Sequence, residues 1–408
     1  MPTPRQRVTF PGALGHELAA RLDLPAGPPK AYALFAHCFT CGKDLRAATS
    51  IAASLTDAGF AVLRFDFTGL GGSEGEFENT NFTSNVDDLV AAAAWLRAEY
   101  RAPQLLVGHS LGGAAVVVAA DRIPEVRAVA TIGAPSESGH VNQLFVDSAD
   151  EIEQRGSADV ELAGRRFTIT KQLVDDLRSG RVVEAAGALH RPLLVLHSPI
   201  DNVVGVDHAA ALFRAARHPR SFVSLDGADH LLGDVADAVY AAKTIGTWAE
   251  RYLVDESGVK PPPPASAPVM VSETGQGKFL NHVVVGEHRF LADEPESMGG
   301  FDAGPSPYDL LGAALGACTS MTIRMYADHK GYPLGRVTVD VSHDKVHVDD
   351  AGNVVEGRDG KIDRFRRSIT VDGDLDEQLR ANVLRIADKC PVHRTLERTS
   401  RIETGLSE

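Results

Sequence analysis

Ser110 stands at the centre of Gly108-His109-Ser110-Leu111-Gly112, directly after an apolar run at 105–107 and directly before a helix pattern at 114–120. Strand, sharp turn and helix in that order are the setting of a nucleophile elbow. The two glycines leave room across the tight turn, and the following helix points its N-terminal N–H groups at any negative charge that develops on a substrate. A serine hydroxyl needs a base to take its proton, and the base needs a carboxylate to fix its tautomer. In this kind of architecture the order along the chain is serine, acid, histidine. The apolar run 193–196 is followed by His197-Ser198-Pro199-Ile200-Asp201, and the run 222–225 by Gly227-Ala228-Asp229-His230. Asp201 and His230 are therefore the expected acid and base. Asp207, Asp226 and Asp229 compete with Asp201, but Asp207 falls in the next helix pattern and Asp229 adjoins the histidine in sequence.

Cysteines supply a second chemistry. Cys318 lies in a long apolar helix pattern whose Leu311, Ala314, Cys318, Met321 and Met325 recur at intervals of three and four, which predicts a buried stripe. On spacing alone a packed core thiol is the default. Cys390 directly precedes Pro391, so it is the expected N-cap of a last helix. There a thiolate gains from free N–H groups, with Lys389 and His393 adding positive potential. Cys38 and Cys41 form a Cys-x-x-Cys after the run at 31–36. Packed free thiols are the expectation for them, and a redox switch on the neighbouring site is the alternative. No His/Cys grouping has zinc-finger spacing. His343 and His347 share one face of a strand pattern, read as a solvated or interface face rather than a metal site.

These residues need two scaffolds. In residues 1–255, short apolar runs at 31–36, 61–65, 105–107, 126–132 and 193–196 each precede an amphipathic stretch, which predicts a mostly parallel sheet with helices on both faces. Segments 7–10 and 17–24, with glycines between, read as an edge hairpin. The charged insertion at 136–190 is expected to cap the site. A run of four prolines at 261–264 lies in a polar linker, 256–270. In the smaller α+β part, 271–408, strands are expected at 279–285 and 288–291. Ser306-Pro307-Tyr308-Asp309 then opens a helix that runs to His329 with Gly331 as its C-cap.

With 408 residues, two or three domains are expected at about 150 residues each. A net charge of −14 repels phosphate backbones, which argues against nucleic acid as a partner. No stretch approaches a membrane-spanning run, and the first residues carry no apolar leader, so a cytoplasmic location is expected. Four cysteines are too few for a disulfide framework. Neither metal nor cofactor is expected.

On the elbow, on Asp201 and His230, and on Asp66-Phe67-Thr68-Gly69-Leu70-Gly71-Gly72-Ser73-Glu74-Gly75, residues 1–255 resemble the α/β-hydrolases of the serine esterase and peptidase superfamily. The resemblance implies hydrolysis of an ester, thioester or amide in a small-molecule acyl substrate. It also implies a second oxyanion-hole N–H after the first parallel strand, where the family has His-Gly-x. Here the run is His37-Cys38-Phe39, so Phe39 or Cys38 would share the role with Leu111.

The helix run Pro307-Tyr308-Asp309-Leu310-Leu311-Gly312-Ala313-Ala314-Leu315-Gly316-Ala317-Cys318 and the helix start Cys390-Pro391-Val392 resemble the OsmC/Ohr thiol peroxidases over most of 279–408. That resemblance implies reduction of an organic hydroperoxide, with Cys318 peroxidatic, Cys390 resolving, and a dithiol restoring the pair. It also implies an intertwined homodimer. Where the family has a glutamate, ten residues before the helix cysteine, this chain has Tyr308; Arg289 is the candidate for the family's arginine. The alternative for this part is a dimerisation or ligand-binding module without catalysis.

Overall fold

In the computed structural model, which describes residues 5–38, 41–162, 165–179, 181–347 and 361–406, the chain divides into two compact units, 1–260 and 261–408. The apolar runs of the first unit become β1 (Arg5–Pro11), β2 (Glu17–Asp23), β3 (Ala31–Ala36), β4 (Phe60–Phe65), β5 (Leu105–His109) and β6 (Ala128–Ile132). Two strands of the insertion follow, β7 (Ser157–Leu162) and β8 (Arg165–Thr170), then β9 (Leu193–His197) and β10 (Arg220–Ser224). Eight of these form one sheet in the order β1-β2-β4-β3-β5-β6-β9-β10. It is parallel from β4 to β10, and the expected hairpin β1–β2 adds an antiparallel edge.

Helices cover both faces: α1 (Arg46–Asp57), α2 (Phe82–Glu99), α3 (Leu111–Ala119), then α4 (Ala149–Arg155), α5 (Lys171–Ser179) and α6 (Val182–Ala188) of the insertion, and finally α7 (Val206–Ala215) and α8 (Val235–Ala249). Because strand side chains alternate, Leu34 and Ala36 of β3 join the core under α2 and α3. Ala33 and Phe35 join the one under α1 and α8. The sequence order reverses around β3, which pairs with β4 on one side and β5 on the other. Crevices at such a reversal, at the carboxyl ends of the strands, are where ligands bind in open α/β sheets.

One charged group lies inside this frame. Arg64 of β4 is fully buried, donates its Nε–H to Asp23 of β2 at 2.7 Å, and reaches the Lys43 carbonyl with Nη1. Lys43 in turn is held by Asp66 through its backbone N–H and its ammonium. The loop after β3 is thus tied to β4 and β2 by ions as well as by backbone.

The second unit has a three-stranded antiparallel sheet of β11 (Val269–Glu273), β12 (Asn281–Val285) and β13 (His288–Ala292). The long helix α9 (Pro307–Lys330) packs on the hairpin β14 (Val337–His347) and β15 (Lys361–Val371), followed by α10 (Glu377–Ala387) and α11 (Pro391–Glu397). Ser306 and Asp309 close a reciprocal capping box at the start of α9, and Gly331, at φ +68°, ends it.

The expected buried stripe of α9 is corrected. Leu315, Thr319, Ile323 and Ala327 face inward, whereas Leu311, Met321 and Met325 are exposed and Cys318 is half-buried at the border. The apolar period is present, but the inner face of the helix is taken by Leu315 together with Gly316, Thr319, Ile323 and Ala327, with Gly316 against Val341 of β14 and Ile323 against Val383 and Ile386 of α10. Leu311 and the two methionines are turned outward.

Candidate active site

The chain enters Ser110 from β5 and leaves it into α3. The serine holds φ +55°, a conformation in which a non-glycine residue is strained. Its flanking glycines are sterically required: a Cβ on Gly108 would lie 2.3 Å from the Gly112 carbonyl oxygen, and one on Gly112 would lie 2.3 Å from that of His37. The Ser110 N–H is anchored to the Ile132 carbonyl of β6 at 2.8 Å.

Three loops at one end of the sheet bring the expected residues together. His230 Nε2 lies 3.0 Å from Ser110 Oγ, and His230 Nδ1 lies 2.7 Å from Asp201 Oδ2. With Nδ1–H donated to the carboxylate, Nε2 is left to accept from the serine hydroxyl. The other Asp201 oxygen accepts the N–H groups of Val203 at 2.9 Å and Val204 at 2.8 Å. Burial works to raise the Asp201 carboxyl; the bond from His230 and those from the two backbone amides outweigh it and hold the group below its ordinary value. Gly133, at φ +55°, makes room: a Cβ there would sit 3.4 Å from both Asp201 Oδ2 and His230 Nδ1.

The competing acids are occupied elsewhere. Asp229 accepts from the Gly233 N–H, Asp226 accepts from the Ser224 hydroxyl, and Asp207 lies in the first turn of α7.

Leu111, Gly112 and Cys38 line one small cavity beside the serine, with Phe67, Leu70 and Phe77 as its apolar wall. Phe39 lies outside the described residues. The expectation of packed free thiols at Cys38 and Cys41 is overturned: the two are joined in a disulfide. The turn after β3, closed by a Cys41 N–H to Cys38 carbonyl bond of 3.1 Å, brings their Cα atoms to 5.2 Å, a separation a disulfide spans.

Sequence reasoning passed over three buried histidines around the triad. His109 donates Nε2–H to the His230 carbonyl at 2.7 Å, and His197 donates Nε2–H to the Val204 carbonyl at 2.7 Å. His37 donates Nδ1–H to the Cys38 carbonyl at 2.8 Å. Burial lowers the pKa of all three, that of His109 to about 4. Their positions at or just beyond the carboxyl ends of β5, β9 and β3 were a usable signal.

In the second unit Cys318 and Cys390 are neighbours that perturb each other's ionisation, and Cys390 takes the expected N-cap position of α11, without a side-chain cap hydrogen bond. Burial works against a Cys390 thiolate, but the neighbouring Cys318 thiol and then the His393 N–H outweigh it and lower its pKa. Burial and then the neighbouring Cys390 thiol raise Cys318.

Arg367 of β15, which sequence reasoning also missed, donates to Thr319 Oγ1 at 3.0 Å, to the Ala387 carbonyl at 2.9 Å and to His393 Nδ1 at 2.9 Å. It thereby braces the walls of the cysteine pair, while Arg289 is exposed on β13. Asp309 is committed to the helix cap, and Tyr308 stacks on His343 at 4.2 Å. His343 also meets Asp363 at 2.9 Å, and the His347 side chain lies outside the described ones.

Known proteins show the same two parts. The profile of the serine aminopeptidase S33 family matches residues 27–146, and that of the OsmC-like proteins matches 300–405. The solved esterase domain of a Rhodothermus marinus protein is 51% identical, with a TM-score of 0.52, over 61% of this chain and 99% of that one. The Butyrivibrio proteoclasticus protein Est1E with bound ferulic acid, 20% identical, shares the fold with a TM-score of 0.50 over 60% of this chain and all of that one. Human mitochondrial palmitoyl-protein thioesterase ABHD10 is 35% identical over 109 residues, which are 24% of this chain and 32% of that protein. The chain therefore matches about a third of the length of that relative. Among the described residues no helix is long and apolar enough to cross a membrane.

Proposed function

Because the chain belongs to the α/β-hydrolases by its first unit and joins an OsmC-like domain to it, we propose that its serine-hydrolase activity runs through an acyl-Ser110 intermediate on a carboxyl ester or thioester. His230 takes the Ser110 proton as Oγ attacks the carbonyl carbon, then returns it to the leaving group. Asp201 holds the ring and stabilises the imidazolium. The N–H of Leu111, with that of Cys38 or Phe39, receives the oxyanion. Water activated by His230 then releases the acid. The unbroken line Asp201–His230–Ser110, with links of 2.7 and 3.0 Å, carries this reading. Fluorophosphonate labelling tests it: an adduct on Ser110 is expected in the folded protein, and labelling elsewhere with Ser110 untouched refutes it.

For the second unit the proposal is a thiol peroxidase, supported by the contact between Cys318 and Cys390. Cys318, the more exposed thiol, attacks the outer oxygen of a hydroperoxide as its proton passes to the Cys390 thiolate. The O–O bond breaks, the departing alkoxide takes a proton from water and leaves as the alcohol, and a sulfenic acid remains. The Cys390 thiol then displaces water to form a disulfide, which an external dithiol reduces. If an alkyl hydroperoxide leaves both thiols free, the unit is not a peroxidase. The outward Leu311, Met321 and Met325 favour a second reading, in which this unit makes a homodimer with or without peroxide chemistry. A cytoplasmic setting, where dithiol reductants are at hand, belongs to the same proposal.

A further inference from the structure

We propose that His109 is a positioning residue for the hydrolytic reaction. Its Nε2–H, donated to the main-chain carbonyl of His230 at 2.7 Å, sets the place from which the His230 ring reaches Ser110. The inference rests on the reading of Ser110, His230 and Asp201 as the acyl-transfer triad.

The argument starts from where the two histidines come from. His230 sits in the loop after β10, an edge strand three places from β5 in the sheet. Nothing in the β5 turn itself fixes the height of that loop above the serine. His109 is the last residue of β5 and the neighbour of Ser110, so its backbone moves with the nucleophile. Its ring is 2% exposed and lies 5.3 Å from the ring of His230. A carbonyl only accepts, so Nε2 carries the proton, and the bond crosses between the loop of the base and the strand of the nucleophile. One dipeptide, His109-Ser110, thus holds the base loop with one side chain and meets the base ring with the other. Catalysis depends on that registry, since a misplacement of about 1 Å at a reacting group costs on the order of 100-fold.

The charge state suits the task. The groups facing His109 are His230 and Asp201 from the two catalytic loops and His37 from the loop after β3. Burial first, then His230, keep the ring neutral down to about pH 4. A neutral ring donates to the carbonyl without opposing the positive charge that His230 acquires in the transition state.

Substitutions that separate the N–H donor from the bulk provide the test. H109Q places an amide N–H near the Nε2 position, whereas H109F keeps a ring without a donor. In ester hydrolysis, H109F is expected to lose roughly 10- to 100-fold in kcat with KM changed less than about twofold. The acid limb of its kcat/KM profile should move to lower pH as Asp201 grips His230 less well. H109Q is expected to recover kcat to within about threefold and to return the acid limb. Equal kcat in H109F and wild type overturns the inference, as does an H109Q as slow as H109F. If H109F does not fold, H109M is the donor-free variant. S110A separates this inference from its premise. Activity surviving in S110A sinks the triad reading, whereas a dead S110A beside a fully active H109F sinks only the role of His109.

Discussion

His230 and Asp201 meet through one carboxylate oxygen, and the other is fully engaged by the backbone of the loop that carries Asp201. The acid cannot swing without breaking its own turn, so it dictates which nitrogen of His230 bears the proton. Asp201→Asn presents an amide at the same place and favours the wrong tautomer. Ester turnover should fall by about 10⁴-fold with the melting temperature little changed, a contrast read by pairing steady-state rates with a thermal melt.

Acid should weaken the first unit through His109. Its folded pKa, about 4, lies below the ordinary unfolded value, about 6.5. The unfolded chain therefore binds the extra proton first. The stability linked to this group is fully present above about pH 6.5 and is lost as pH falls towards 4, about 3 kcal/mol across the window. H109Q should flatten the slope of unfolding free energy against pH in that range; an unchanged slope rules the linkage out.

Reduction of the Cys38–Cys41 disulfide releases a loop of four residues. The chain-entropy cost of losing so small a ring is about 2 kcal/mol, or roughly 5 °C in the melting temperature of a unit this size. Cys41→Ala should melt at the temperature of the reduced wild type and no longer respond to dithiothreitol.

Hydroperoxide chemistry in the second unit should depend on which thiol remains. Cys390→Ser is expected to stop at a Cys318 sulfenic acid that dimedone traps, and Cys318→Ser to consume no peroxide. Trapping on Cys390 instead would reverse the proposed roles, in keeping with the lower pKa of that thiol.

The outward residues of α9 offer a separable test. Met321→Glu with Met325→Glu puts two charges on the exposed apolar stripe and should turn a dimer into a monomer in sedimentation. Ester hydrolysis should be unaffected, because neither methionine belongs to the first unit.

The sheet was legible because the parallel strands inside it, β3, β4, β5, β6 and β9, are buried on both faces and so read as nearly continuous apolar runs; the expected strand at 31–36 is β3 itself. Ser110, Asp201 and His230 were legible because they follow strand ends in the order the fold requires. The histidines at 37, 109 and 197 were not, since their work is done by hydrogen bonds to carbonyls of residues remote in the chain or in the turn, and carbonyls leave no mark in a sequence. Arg367 escaped for a related reason: its partners come from α9, α10 and α11. The stripe of α9 was found by period, but period does not say which of two faces the rest of the unit covers.

Arg64 has a consequence for anyone trimming this chain. Its guanidinium is buried, and Asp23, the last residue of the edge hairpin, supplies the buried counter-charge, with the exposed Asp44 at 3.3 Å as its other carboxylate partner. Deleting the first 24 residues to isolate a minimal parallel sheet would leave this buried cation with only the exposed Asp44 as counter-charge, beneath the loop that borders the active site, at a cost of about 3–5 kcal/mol. The hairpin is thus an electrical requirement of the hydrolase rather than an ornament on its edge.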